Sequence, residues 1–146
     1  MTSVIDINNI EKAKQQINTA KEKPIIIKAQ DTIFNRKLLE YGKFDILLDV
    51  EKVKGKDSLR NINSGLNHVL AKITEKNNIA LGIDISPLSA KNKKEKAILL
   101  TKLRQNIKIC RKTNTKIKVL NYKNKKDSFA LLLSLGCSTK QAKEAL

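Results

Sequence analysis

Three acidic residues lie where two apolar, strand-length runs end, and they are the first candidates for catalysis. Asp49 and Glu51 lie at the end of the run 44–50, and Asp84 lies near the end of the run 79–85. Parallel α/β enzymes keep active groups at the carboxyl ends of strands, and carboxylates there can bind Mg²⁺ for phosphodiester cleavage. One hypothesis is therefore a Mg²⁺-dependent phosphodiesterase or nuclease that acts alone. The alternative, which we favour, is that these carboxylates cap loops or helix starts, or pair with lysines.

Other residues capable of chemistry are few. The single histidine, His68, excludes a site with several histidine ligands, and we expect it to be a partly exposed surface or contact residue. Cys110 and Cys137 lie 27 positions apart without further ligands in zinc-binding spacing, so we predict two small core residues. No glycine-rich loop of Walker or Rossmann spacing is present. We therefore expect no catalytic residue, no metal ligand and no cofactor for this chain.

Positive charge is concentrated in one segment. The formal net charge is +16, and residues 91–126 hold 14 Lys and Arg against one acid, Glu95. Such clustering favours a polyanionic partner over a merely solvated basic face, and nucleic acid is the expected partner. Aromatic residues make up only 3% of the chain, so we expect contacts to the nucleic-acid backbone rather than stacking on bases. The residues predicted to bind nucleic acid, expected on one exterior surface, are Lys91, Lys93, Lys94, Lys96, Arg104, Lys108, Arg111, Lys112, Lys123, Lys125 and Lys126.

Strands and helices alternate in the predicted architecture. Short runs rich in β-branched residues lie at 25–27, 44–50, 79–85 and 117–120, and a further strand is predicted at 4–7. The segments between them have helical spacing, and this alternation is typical of βα units around a parallel sheet. The sequence therefore predicts a single α/β domain over residues 1–146.

Two internal helices can be placed from their apolar spacing. Leu66, Val69, Leu70 and Ile73 are predicted to share one buried face, with a cap at Asn63 or Ser64.

The helix predicted from about residue 95 to 112 has separate core and basic faces. Its core stripe is expected to consist of Leu99, Leu103, Ile107 and Cys110. Ile98 and Ile109 fall almost opposite that stripe, so they are predicted to contact an adjacent helix or a partner protein.

Two short helices are predicted near the end of the chain. Asp127 is expected to cap the first, which runs through Leu135, and Gly136 to supply the left-handed turn that ends it. Ser138 and Gln141 have the spacing of a capping box that opens the second.

Long apolar segments are absent from the sequence. No stretch approaches the roughly 18 consecutive apolar residues of a membrane span, and the first residues lack the pattern of a leader peptide. We expect a soluble, cytoplasmic protein with no membrane partner.

Several motifs from about residue 44 onward are shared with one known family. They are FDIL at 44–47, SGLNHVLAK at 64–72, IALG at 79–82, NIKICRK at 106–112 and LSLGCSTKQAK at 133–143. In order and spacing they resemble the ribonuclease P protein component 3 family of the archaeal and eukaryotic type. The segment 121–127 departs from that family, which commonly has a longer loop there.

The resemblance implies a fold, a function and partners. The fold would be TIM-barrel-like, related to the polymerase-and-histidinol-phosphatase barrels but without their metal ligands. Because the region before residue 44 is shorter than in the family, we expect a reduced or incomplete barrel with a C-terminal helix pair. The implied function is to support removal of 5′ leaders from precursor tRNA, beside the catalytic ribonuclease P RNA, protein component 2 and other subunits. The Mg²⁺ ions would belong to the RNA.

Overall fold

One parallel sheet organises the chain. The computed structural model describes residues 4–53, 55–57, 59–60 and 62–146. Within these residues five strands pair in their order along the sequence, and every pair is parallel. The strands are β1 (Val4–Ile5), β2 (Ile26–Lys28), β3 (Ile46–Leu48), β4 (Ala80–Asp84) and β5 (Lys116–Leu120).

Helices connect and follow the strands. They are α1 (Ile10–Thr19), α2 (Thr32–Tyr41), α3 (His68–Lys76), α4 (Lys93–Thr113), α5 (Lys125–Ser134) and α6 (Thr139–Ala145). Short 3₁₀ turns at Val50–Lys52 and Ser86–Ala90 follow β3 and β4. None of the helices in the described ranges has the length and apolar character that crossing a membrane requires.

The two faces of the sheet bury different side chains because successive residues of a strand point to opposite sides. Ile27, Leu47, Leu81 and Ile117 lie in one register row, and they pack in the main core together with apolar side chains from all six helices. Parallel strands in sequential order with right-handed crossovers bring their helices to one face, which explains this shared core.

The opposite face of the sheet has a smaller apolar cluster. Ile26, Ile46, Leu48 and Ala80 are buried together there, with Leu120 packed against them. Gly82 lies in this layer, and a Cβ at this position would lie 2.6 Å from Cγ2 of Ile46. Glycine therefore lets the side chains of β3 lean across β4. Apolar packing on both faces is what the wall of a barrel requires.

The predicted fold class is confirmed. Each predicted strand overlaps an observed strand, the sheet is parallel, and the order of the described strands fits a reduced TIM-barrel-like architecture. The predicted C-terminal helix pair is also present as α5 and α6. The capping box is confirmed, since Gln141 N donates to Ser138 Oγ and Ser138 N donates to Gln141 Oε1.

The prediction for α3 was partly wrong. The helix begins at His68 and its cap is Asn67, whose side chain accepts from Leu70 N at 2.9 Å, so neither Asn63 nor Ser64 caps it. Leu66 is buried but precedes the helix, and Val69 is 55% exposed. The buried face of α3 consists of Leu70, Ala71 and Thr74 instead. Thr74 can take a core position because its hydroxyl donates to Leu70 O at 2.7 Å.

The prediction for the cap of α5 was wrong by three residues. Asn124 is the cap, and its side chain accepts from the backbone N of Asp127, which lies in the first turn. An acidic residue in that turn still stabilises the positive end of the helix dipole. Gly136 has a φ of 104°, as its expected role at the end of α5 requires.

Candidate nucleic-acid interface

The carboxylate of Asp84 holds the loops that follow β4 and β5. Its Oδ1 accepts from Ser86 N at 3.0 Å and from Ser86 Oγ at 2.7 Å. Its Oδ2 accepts from Asn121 Nδ2 at 3.3 Å. Both oxygens are therefore used in local structure, as expected for a carboxylate that caps a loop.

Asp49 is buried next to a lysine. It has a left-handed backbone with φ 65°, and Lys52 Nζ lies 3.1 Å from its Oδ1. The two side chains form an ion pair whose geometry is not that of a hydrogen bond, because Asp49 Oδ1 accepts no hydrogen bond within the described ranges. The pairing agrees with the expectation that these carboxylates meet lysines.

Glu51 differs from the other two carboxylates. Glu51 is 3% exposed, and this burial raises the pKa of its carboxyl from 4.5 to about 7. Its own backbone amide and Lys52 lower the pKa, whereas the negative charges of Asp49 and Asp84 raise it further. It lines a small cavity together with Asn106, whose Oδ1 has no hydrogen-bond partner in the described part of the chain. Glu51 is thus a buried acid rather than an exposed ligand.

These placements do not favour the hypothesis of a metal-dependent nuclease. Across residues 4–53, 55–57, 59–60 and 62–146, no three His, Cys, Asp or Glu side chains form a group that could hold a metal ion. Cys110 and Cys137 are buried in the main core, as predicted, and both are free thiols.

The predicted cations lie at two levels of the fold. Lys91, Lys93, Lys94 and Lys96 lie at the start of α4, and Lys123, Lys125 and Lys126 lie where α5 begins. Both groups follow carboxyl ends of strands, so they are at the same edge of the sheet. Arg104, Lys108, Arg111 and Lys112 lie in the second half of α4 and are exposed. Salt bridges within the described ranges involve none of these eleven side chains.

The length of α4 separates these groups of cations. Lys93 and Lys112 are the first and the penultimate residues of a 21-residue helix. At 1.5 Å per residue they are about 28 Å apart along its axis. The predicted surface thus extends from the sheet edge to the second half of α4.

A cleft adjoins the second of these groups. Its volume is about 690 Å³, and one of its walls is a continuous face of α4. The opposite wall is the segment from Ile62 to His68, and Lys56 lies at its border. The residues that α4 contributes are Thr101, Arg104, Gln105, Lys108, Ile109 and Lys112. Arg111 does not line the cleft.

Amide side chains of α4 fix the opposite wall of the cleft. Gln105 Nε2 donates to the carbonyl of Ile62 at 2.9 Å and to Ser64 Oγ at 2.8 Å. Asn106 Nδ2 donates to the carbonyl of Ser64 at 3.0 Å. Because buried polar groups are costly without partners, these bonds hold the segment at a defined distance from the helix.

The sequence Ser-Gly-Leu-Asn at 64–67 has a structural role at each position. Ser64 is buried against α4, Leu66 is in the core, and Asn67 caps α3. Gly65 has a φ of 80°, and a Cβ there would overlap the backbone oxygen of Val50. Only glycine fits both the backbone conformation and this close approach.

The two predicted partner-contact residues have different surroundings. Ile98 is 49% exposed and lies outside the cleft. Ile109 is half-buried, packs against the main core and lines the cleft. Ile98 alone therefore presents a largely exposed apolar side chain on α4.

Sequence reasoning missed three residues of this cleft. Lys56 and His68 line it, and Gln105 shapes it, although none of them was predicted as an RNA-binding residue. His68 is exposed, as expected. The four-residue spacing of Arg104, Lys108 and Lys112 was available as a signal, but the wall that makes it a cleft depends on long-range hydrogen bonds.

The fold and the site together define a class of protein. A parallel sheet in sequential order, with helices on one face and an exposed basic helix, is a reduced TIM-barrel-like domain with the charge expected of a nucleic-acid-binding protein. No protein-family model matches the chain.

Comparisons with individual proteins confirm the suspected resemblance: the chain is similar to proteins named ribonuclease P protein component 3. It is 27% identical over 110 residues to that protein from Methanococcus vannielii, and 26% identical over 110 residues to the one from Methanococcus maripaludis strain C7. Each match covers 75% of this chain and 44% of the relative. The chain thus spans less than half the length of these curated relatives.

A solved structure has the same fold. A chain in the cryo-EM structure of archaeal ribonuclease P with mature tRNA superposes with a TM-score of 0.76 and 24% sequence identity. The superposition covers 97% of this chain and 62% of that chain. The two chains therefore share one fold over nearly the whole of this sequence.

Proposed function

We propose that this chain is a protein subunit of ribonuclease P that binds the catalytic RNA and supports removal of 5′ leaders from precursor tRNA. The observation that carries the proposal is the similarity to ribonuclease P protein component 3 over 75% of the chain. The concentration of exposed cations along α4 and at the start of α5 supports it, since an RNA scaffold presents a dense array of phosphates.

Binding in this proposal is electrostatic. Lysine and arginine side chains neutralise phosphates and release condensed counterions, so the affinity for RNA falls as salt rises. Such contacts position a protein on folded RNA without reading its sequence. With aromatic residues at 3% of the chain, base stacking contributes little to the proposed interaction.

The chain would act with other components in the cytoplasm. We propose protein component 2 and further subunits as protein partners, with Ile98 as an apolar contact. Precursor tRNA would be reached through the complex. Cleavage would belong to the RNA and its Mg²⁺ ions, since neither Asp49 nor Asp84 is free of partners within the fold.

Reconstitution of leader removal tests this function. The cognate ribonuclease P RNA, component 2 and precursor tRNA are combined at low Mg²⁺, with and without this chain. We expect faster appearance of mature 5′ ends when the chain is present. Equal rates with and without it would exclude the proposed role.

The chain alone with Mg²⁺ serves as a control for the nuclease hypothesis. We expect no cleavage of precursor tRNA in that reaction. Cleavage that is lost in Asp49→Asn would instead support a phosphodiesterase acting through strand-end carboxylates.

A further inference from the structure

We propose that the cleft between α4 and the segment 62–68 binds the sugar-phosphate backbone of a single RNA strand. This inference deepens the proposed function and rests on it, because it names the form of RNA that one part of the surface accepts. Its basis is the arrangement of cations along one wall, together with the shape of the opposite wall.

The cations of the cleft have a regular spacing. Arg104, Lys108 and Lys112 follow one another at intervals of four residues and all line the cleft. Four residues of α-helix rise about 6 Å, so the three charges form a row along the helix. That interval is comparable to the distance between consecutive phosphates of an RNA strand. A strand lying along α4 can therefore pair one phosphate with each cation.

The opposite wall offers polar groups and further positive charge. Lys56 and His68 line the cleft from that side, both exposed. Ile62 and Ile109 are half-buried within it and supply apolar surface against which a ribose or the edge of a base can rest. Among the described residues no acidic side chain lines the cleft, and the carboxylate of Asp57, which adjoins it, accepts from the backbone N of Asn63 at 2.7 Å. These residues fit a polyanion with a sugar-phosphate backbone better than an acidic peptide, because the cleft would recognise a peptide by its charge alone.

The dimensions favour one strand over two. A volume of about 690 Å³ is that of an open ligand-binding cleft and admits a short stretch of one strand. A double helix is much wider and could contact only the rim. The hydrogen bonds of Gln105 and Asn106 to the segment 62–64 hold the walls together, so the cleft is preformed.

Neutralising the row of cations tests the inference. The cleft variant is the triple substitution Arg104→Gln, Lys108→Gln and Lys112→Gln, which changes only exposed side chains and keeps good helix formers. A matched control removes the same charge elsewhere, with Lys12→Gln, Lys21→Gln and Lys23→Gln, all of which are exposed and far from the predicted surface along the chain. Circular dichroism should be the same for both variants and the parent chain.

Binding of an oligouridine and of an RNA duplex of equal length is measured across a salt series. Loss of three phosphate contacts should lower the slope of log affinity against log salt for the single strand by about 2. If the plots for the parent chain and the cleft variant meet at 1 M salt, the variant should bind the single strand about a hundredfold more weakly than the parent chain at 0.1 M salt. The control variant should change single-strand affinity by much less, and the cleft variant should bind the duplex about as the control does.

Different results separate this inference from the proposed function. If the cleft variant binds oligouridine as the control does, or loses duplex binding equally, the cleft assignment is wrong. Leader removal with and without the parent chain is measured independently of these variants. Stimulation by the parent chain together with unchanged oligouridine binding would therefore reject the cleft and keep the subunit role.

Discussion

Substitution of the buried acid Glu51 by glutamine should remove most of the dependence of stability on pH near neutrality. In the unfolded chain its carboxyl ionises with a pKa near 4.5, whereas in the folded protein burial raises that pKa to about 7. Between these values the unfolded state releases a proton that the folded state keeps. The free energy of unfolding therefore decreases as pH rises from about 4.5 to about 7, and is level above that range.

The size of this effect follows from the two pKa values. Each unit of pKa difference corresponds to about 1.4 kcal/mol, so the shift of Glu51 amounts to about 3 kcal/mol between its ends. Glutamine has nearly the same shape and does not ionise. The stability of Glu51→Gln relative to the parent chain should thus increase by about 3 kcal/mol between pH 4 and pH 8.

Urea unfolding followed by circular dichroism measures this difference at a series of pH values. All other titrating groups are shared by the two proteins, so subtracting one curve from the other isolates Glu51. Glu22→Gln, which removes one exposed carboxylate, is the matched control and should follow the parent chain. Parallel curves for Glu51→Gln and the parent chain between pH 4 and pH 8 would refute the reasoning.

Three further predictions concern the fold. Gly65→Ala should lower the free energy of unfolding by about 3 kcal/mol or more, because it adds a steric overlap to the cost of a positive φ. Gly136→Ala places its new Cβ with no atom within 4 Å, so in the same urea titration its free energy of unfolding should fall by only about 1–2 kcal/mol. Asn67→Ala should cost about 1 kcal/mol and Asn67→Ser much less, since serine also caps helices; equal losses would contradict the cap assignment. Burial raises the pKa of the Cys110 thiol to about 12 and that of the Cys137 thiol to about 11. Both thiols should therefore react with a thiol reagent at pH 8 only as fast as the chain unfolds. Rapid labelling of the native protein would be inconsistent with this prediction.

The sheet and the long helix could be predicted because their signals are local. Runs of β-branched residues identify the strands, and the stripe of Leu99, Leu103, Ile107 and Cys110 is buried as its spacing indicated. The parallel sheet followed from the alternation of strands and helices. These features depend on residues within one or two turns of each other, which a sequence displays directly.

Helix starts were predicted less well, since several residues could act as caps. Asn63, Ser64 and Asn67 all have side chains that can accept from a backbone amide. What selects Asn67 is the turn at Gly65 and the hydrogen bonds of Ser64 to α4, more than 40 residues away. The spacing of Val69 also suggested burial, but its side chain lies outside the buried face formed by Leu70, Ala71 and Thr74.

The cleft could not have been derived from the sequence. Its basic wall is visible as a four-residue repeat, yet its other wall exists only because Gln105 and Asn106 bond the segment 62–64. The pKa of Glu51 was equally out of reach, because it depends on burial beneath α4 rather than on neighbours in the chain. Both features arise from tertiary contacts.

The length of α4 has a consequence for how tightly a large ligand is held. Lys93 and Lys112 are held about 28 Å apart along the axis of this helix, so in the proposed interaction a first contact at one end would raise the local concentration of RNA at the other. Under the proposed function, an RNA long enough to reach both ends would gain avidity, whereas a fragment that reaches one end would compete poorly. The length of the RNA, and not its base sequence, would then be a source of selectivity.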